Sequence, residues 1–162
     1  MTLLRLIHVL SAIFWVGSTL FITFFLEPTV QALGAEGGRF MQRLTGGRLS
    51  PAMALAGLLT IASGLWMYAS VSGGFDLGVM FAARLPLTLG ALAGITSLLV
   101  GLLVQGRASR QLKALGQRLA AQGGPPTPEQ AARLAALQHT LRRGGQLNVL
   151  LMILAVVGMV TG

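Results

Sequence analysis

Residues 6–18 read "LIHVLSAIFWVGS" and open a tract, Leu6 to Leu26, that contains no Asp, Glu, Lys or Arg. Such a tract supplies the about 20 residues that carry a helix across hydrocarbon. Three more uncharged tracts follow, Leu49 to Phe75, Leu85 to Gly106 and Gly144 to Gly162, the last only just long enough. All four are continuously apolar rather than alternating. That pattern disfavours strands, whose open edges would leave backbone groups unsatisfied in lipid. Composition agrees: 54% of the 162 residues are hydrophobic, 10% are charged, and the mean hydropathy is +0.75, outside the range of ordinary soluble domains. The expected fold is all-α: a single membrane-embedded domain over 1–162, a four-helix bundle with spans near 3–26, 50–70, 79–105 and 146–162. A cytoplasmic helical hairpin at 106–143 joins helices 3 and 4. A cleavable signal peptide is the rival reading of the first tract, but its apolar run exceeds the usual length and no small-x-small cleavage site follows it.

The charges set the expected orientation. Ten basic residues, Arg39, Arg43, Arg48, Arg107, Arg110, Lys113, Arg118, Arg133, Arg142 and Arg143, fall between tracts one and two or between three and four; Arg5 and Arg84 alone fall on the other side. The positive-inside rule then makes 27–49 and 106–143 cytoplasmic and puts both termini outside in a multi-pass protein. The net charge of +8 is thus a topology signal rather than a nucleic-acid footprint, with anionic lipid headgroups as natural contacts. No cysteine is present, which excludes disulfides, thiolate metal sites and covalent haem attachment.

Within 106–143, Thr127, Pro128 and Gln130 fit an N-cap, a first-turn proline and a capping-box partner after the Gly-Gly-Pro-Pro turn at 123–126. Leu112, Leu115 and Leu119 on one arm face Leu134, Leu137 and Leu141 on the other, an ordinary amphipathic pairing that also offers a docking surface for a cytoplasmic partner. In 27–49, Gly-Gly-Arg occurs at 37–39 and again at 46–48, bracketing a short interfacial helix with Phe40, Met41 and Leu44; no phosphate-binding signature accompanies these glycines.

The chemistry-bearing residues gather at the outer end. His8, Ser11, Trp15, Ser18 and Ile22 recur at helical spacing, so they share a face that should turn into the bundle. Alternating helix directions bring Met67, Met80 and Met159 toward the depth of His8, with Arg5 and Arg84 flanking the layer. Trp66 and Tyr68 fit an outer aromatic belt. Gly57, Gly64, Gly90, Gly94 and Gly101 fit close helix packing or a homo-oligomer contact. Asn148 reads as an interhelical hydrogen-bond donor, and His139 as a solvated residue on the opposite side from His8. Hydrolytic chemistry is disfavoured, because none of the four carboxylates lies within an apolar tract.

The stretch "IHVLSAIFWVGSTLFITFFLEP" with "GGRFMQRLTGGRLSPAMALAGLLTIASGLWMY" resembles the CopD-like and HemJ-like small bacterial membrane proteins over about the first 70 residues, through His8, Trp15, Gly17, Pro28, residues 39–44, Pro51 and Gly64. The resemblance implies copper handling in one case and a haem-binding protein of protoporphyrinogen oxidation in the other, with His8 as ligand. HemJ-like proteins are expected to carry an arginine soon after Trp-x-Gly, whereas 20–26 here read Leu-Phe-Ile-Thr-Phe-Phe-Leu, a departure that bears on the oxidase activity rather than on ligand binding.

Three functional readings follow. In the first, His8 ligates a b-type haem, with Met67, Met80 or Met159 as second ligand, Arg5 and Arg84 on the propionates and Trp15 on the macrocycle; the activity would be electron transfer or oxidoreductase chemistry on a quinone or porphyrin. In the second, His8 and the three methionines hold Cu(I), received from or passed to a metal donor. In the third, the chain is a non-catalytic scaffold.

Overall fold

The computed structural model describes residues 1–162, the side chain of Ala35 excepted. The chain is 91% helical, and no strand occurs among the described residues. Seven α-helices follow in order: α1 (Thr2–Phe21), α2 (Glu27–Ala32), α3 (Gly34–Leu44), α4 (Ser50–Val71), α5 (Leu85–Leu99), α6 (Gly106–Gln122) and α7 (Pro128–Thr161). Wider π turns at Ile22–Leu26 and Val100–Gln105 carry α1 into α2 and α5 into α6, and a kink at Gly47, whose backbone leaves helical geometry, joins α3 to α4. Four helical runs, Thr2–Ala32, Glu36–Val71, Leu85–Gln122 and Pro128–Thr161, are long and apolar enough to cross a bilayer, so the protein is a multi-pass membrane protein.

Proline and glycine punctuate these rods. Pro28, Pro51, Pro86 and Pro128 each sit in the first turn of a helix, where the missing N–H has no intrahelical partner to lose. Gly123 ends α6 with φ 68, a left-handed conformation that any side chain would strain. Beyond it the expected capping box is formed: Thr127 Oγ1 accepts from the Gln130 N–H at 3.3 Å, and Gln130 Oε1 accepts from the Thr127 N–H at 2.8 Å. The two arms meet as a hairpin in which Leu137 is buried and Arg133 Nη2 donates to Gln111 Oε1 at 2.8 Å. The second arm continues without a break into the last span, so hairpin and bundle share one helix.

Two tightly packed antiparallel pairs build the bundle. In the α5/α7 pair, glycines bring backbone onto backbone: a Cβ at Gly90 would stand 2.9 Å from Ala155 O and 3.1 Å from Gly158 Cα. A little further along the same seam, Ser97 Oγ donates to Asn148 Oδ1 at 3.2 Å, so Asn148 accepts the interhelical bond rather than donating it. In the α1/α4 pair, Gly57 takes the Trp15 indole and Gly64 takes the His8 imidazole. Trp15, Ala56, Leu98 and Met152 form the common core, one residue from each of α1, α4, α5 and α7. Association in lipid depends on such packing, because hydrocarbon outside is as apolar as the seam inside. The small-residue pattern therefore reports helix contacts within one chain.

The pairing places both chain termini and the α4–α5 turn at one end of the bundle, called here the terminal end. The turn into α3 and the α6/α7 hairpin lie at the other, the hairpin end. Helix α3 packs there beneath α6, with a Cβ at Gly116 falling 2.6 Å from Gln42 Nε2 and one at Gly46 falling 3.7 Å from Lys113 Nζ. Phe40 in α3 remains half exposed.

Candidate functional site around His8

The inward face of α1 is carried by His8, Trp15 and Thr19, all buried; Ser11, Ser18 and Ile22 are half-buried at its margins. Helical spacing thus predicted the stripe, and Thr19 rather than Ser18 is its third buried member. Thr19 spends its hydroxyl on Trp15 O at 2.9 Å, a local bond that lets a polar side chain sit in an apolar seam.

His8 is 9% exposed and reaches across to α4. Its Nδ1 lies 2.9 Å from Thr60 O and 3.2 Å from Ser63 Oγ. A backbone carbonyl only accepts, so the 2.9 Å bond requires a proton on Nδ1; in the neutral ring the lone pair then lies on Nε2. No hydrogen bond to Nε2 occurs among the described residues. This is the division of labour found in metal-ligating histidines, where one nitrogen is oriented by a carbonyl or carboxylate and the other is left to the ligand. Gly64 makes room for the ring, since a Cβ there would meet His8 Cε1 at 2.9 Å.

The remaining residues singled out by the sequence divide into those near this imidazole and those drawn elsewhere. Met67 is half-buried, one helical turn beyond Gly64 toward the terminal end. Met80 is half-buried too, and its carbonyl accepts from Thr88 Oγ1 at 2.8 Å. Met159 is 38% exposed, and the methionine buried in the bundle is Met152. Arg5 is exposed one turn before His8. Arg84 donates from Nη1 to Gly162 O at 2.9 Å and leaves Asp76 to accept from the Val79 N–H at 3.0 Å. Trp15 packs against a neighbour: its indole belongs to the four-helix core two turns from His8.

Tyr68 departs from the aromatic belt. It is 5% exposed, and its hydroxyl pairs with Thr88 Oγ1 at 2.5 Å, whereas Trp66 is 68% exposed as a belt residue should be. The helical period puts two aromatics two residues apart on opposite sides of α4, but does not say which side faces the bundle. His139 is exposed at the hairpin end, as expected, and lines a groove there with Arg143.

No family model, curated protein or solved structure matches the chain. The His8 geometry therefore has to carry the functional reading. Within the bundle α1 is the helix least enclosed: 11% of its most apolar stretch is buried, against 39% for the last helix, and it rests chiefly on α4 with only a light contact to α7. A histidine on that helix combines a fixed ring orientation with a neighbouring face that is open to lipid.

Proposed function

We propose that the protein is a bacterial inner-membrane haem protein of the CopD-like and HemJ-like kind, with both termini outside and His8 Nε2 as an axial ligand of a b-type haem. The observation that carries the reading is the 2.9 Å bond from Nδ1 to Thr60 O, which leaves Nε2 as the ligating nitrogen of the ring. The residues present fit such a group in two further respects. Gly64 lets the imidazole seat against α4, and the lightly packed α1/α7 side offers a face where helices can part without breaking either tight pair. Arg5 and Arg84, the two basic residues of the terminal end, would hold the propionates, and Met67, Met80 or Met159 would supply a second ligand. The Trp15 layer closes the bundle beneath. A haem held in this way supplies one-electron transfer, which suits electron relay or oxidoreductase chemistry on a quinone or porphyrin. The chain's own part is to orient one imidazole, exclude water below it and present positive charge above it.

The half-buried Met67, a turn from Gly64, favours a second reading in which His8 and methionine thioethers hold Cu(I). Purification after expression with haem precursor separates the two. A Soret band that disappears in His8→Ala supports haem. A colourless protein that binds copper, and loses it when Met67, Met80 and Met159 are replaced together, supports copper. A folded protein that takes neither rejects both and leaves the scaffold.

A further inference from the structure

At the hairpin end, far from His8, the first and last helical runs border a half-open cavity of about 210 Å³ lined by Thr23, Phe24, Glu27, Gln31, Arg142 and Gln146 among others, with Gln31, Arg142 and Gln146 exposed. It is smaller than the roughly 300–1,000 Å³ pockets of drug-sized ligands, enough for a small polar group and too little for a macrocycle. Its wall is produced by the π turn at Ile22–Leu26. Glu27 is eight residues beyond Thr19; with one residue absorbed by the wider turn, the effective separation is seven, two α-helical turns, and Glu27 returns to the buried line of His8, Trp15 and Thr19. In an uninterrupted α-helix it would point about 80° away. Gly145 on α7 permits the approach, since a Cβ there would stand 3.2 Å from Thr23 Oγ1 and 3.6 Å from Glu27 Oε1.

The lining is electrically divided. Glu27 on the first run offers a carboxylate, Arg142 on the last offers a guanidinium, and the two share the cavity without an ion pair or hydrogen bond between them among the described residues. Gln31 and Gln146 add amides able to donate or accept, while Phe24 and Val149 give the cavity an apolar side. It lies where the apolar tract of the first helix ends, at Leu26 and Glu27, which is the depth of headgroups in the adjoining leaflet.

We propose that this cavity binds a phosphate–ammonium zwitterion, with the phosphate on Arg142 and the ammonium on Glu27. A guanidinium matches phosphate oxygens bidentately, and a carboxylate accepts the N–H donors of a primary ammonium. Ethanolamine phospholipid of the surrounding leaflet and soluble phosphoethanolamine both carry this pair of charges. The site lies at the opposite end of the bundle from His8 and is independent of any haem or copper there.

Native mass spectrometry of the full chain, delipidated and then exposed to equal amounts of chain-matched phosphatidylethanolamine, phosphatidylglycerol and phosphatidylcholine, tests the assignment. Retention of the ethanolamine lipid at least about tenfold over the other two is expected, because phosphatidylglycerol lacks the ammonium and phosphatidylcholine lacks its N–H donors. Glu27→Gln should abolish the preference over phosphatidylglycerol, and Arg142→Gln should lower retention of all three. Competition by millimolar phosphoethanolamine assigns the site to a water-borne ligand, and failure to compete assigns it to lipid. Equal retention of the three lipids by the wild-type chain, together with no uptake of phosphoethanolamine, overturns the proposal without recourse to any variant. An ethanolamine preference that survives Glu27→Gln overturns it as well.

Discussion

The imidazole of His8 occupies the space that a side chain at position 64 would need. A Cβ on Gly64 comes within 2.9 Å of His8 Cε1 and 3.3 Å of Nδ1, the same nitrogen that binds Thr60 O. Gly64→Ala should therefore push the ring away from α4, stretch that bond and cost about 1–3 kcal/mol as an overpacked contact. Denaturant titration in detergent measures the loss. Ser63→Ala, which leaves the Thr60 bond in place, should cost less than Gly64→Ala; the reverse order would mean that the hydroxyl rather than the carbonyl holds the ring.

The seam between α5 and α7 allows even less. A Cβ at Gly158 would stand 2.5 Å from Pro86 O and 2.7 Å from Gly90 Cα, and neither is the end of a side chain that can swing aside. Gly158→Ala should force the two helices apart and destabilise the bundle by at least as much as Gly64→Ala, on the order of 3 kcal/mol. Gly17→Ala, where a Cβ meets nothing within 4 Å, is the matched control and should be neutral or slightly stabilising in the same titration.

Ser97 and Asn148 form a buried pair on that seam. Their coupling in a double-mutant cycle of Ser97→Ala and Asn148→Ala should be about 0.6 kcal/mol, the usual size for hydrogen bonds between membrane helices. A coupling near zero would show that each group finds another partner when the first is removed.

At the hairpin, Thr127→Ala removes the hydroxyl that caps α7. The cost should be about 1 kcal/mol and confined to the first turn. Hydrogen exchange should then accelerate about fivefold at Gln130 and Ala131 and stay unchanged from Leu147 onward, since about 1 kcal/mol corresponds to that factor in a local opening equilibrium.

Much of the architecture was legible in the chain because its causes are local. Four uncharged tracts are long enough to span hydrocarbon, Thr127, Pro128 and Gln130 announce a helix start, and the spacing of His8 and Trp15 declares one face of α1. Depth matching by helix direction was applied to one end only. The same reasoning at the hairpin end would have paired Glu27, beside Pro28, with Arg142. What concealed the pair was the π turn, which has no residue signature in "ITFFL" and yet rotates Glu27 onto the inward face.

Sequence by itself determined that this chain is helical and spans a membrane several times, since hydrophobic length and backbone satisfaction in lipid leave no other solution for four such tracts. It also marked His8 as an ionisable group within an apolar helix, which needs a partner. Only the tertiary structure decided which partner. The Thr60 carbonyl fixes the ring from 52 residues away, Tyr68 turns inward to Thr88 while Trp66 turns outward, and Met152 rather than Met159 enters the core. Each of these depends on how two helices rotate about their own axes when they pack. That rotation is set by glycine-sized gaps on the neighbouring helix, at Gly57, Gly64, Gly90 and Gly158, and not by the pattern of the helix being rotated.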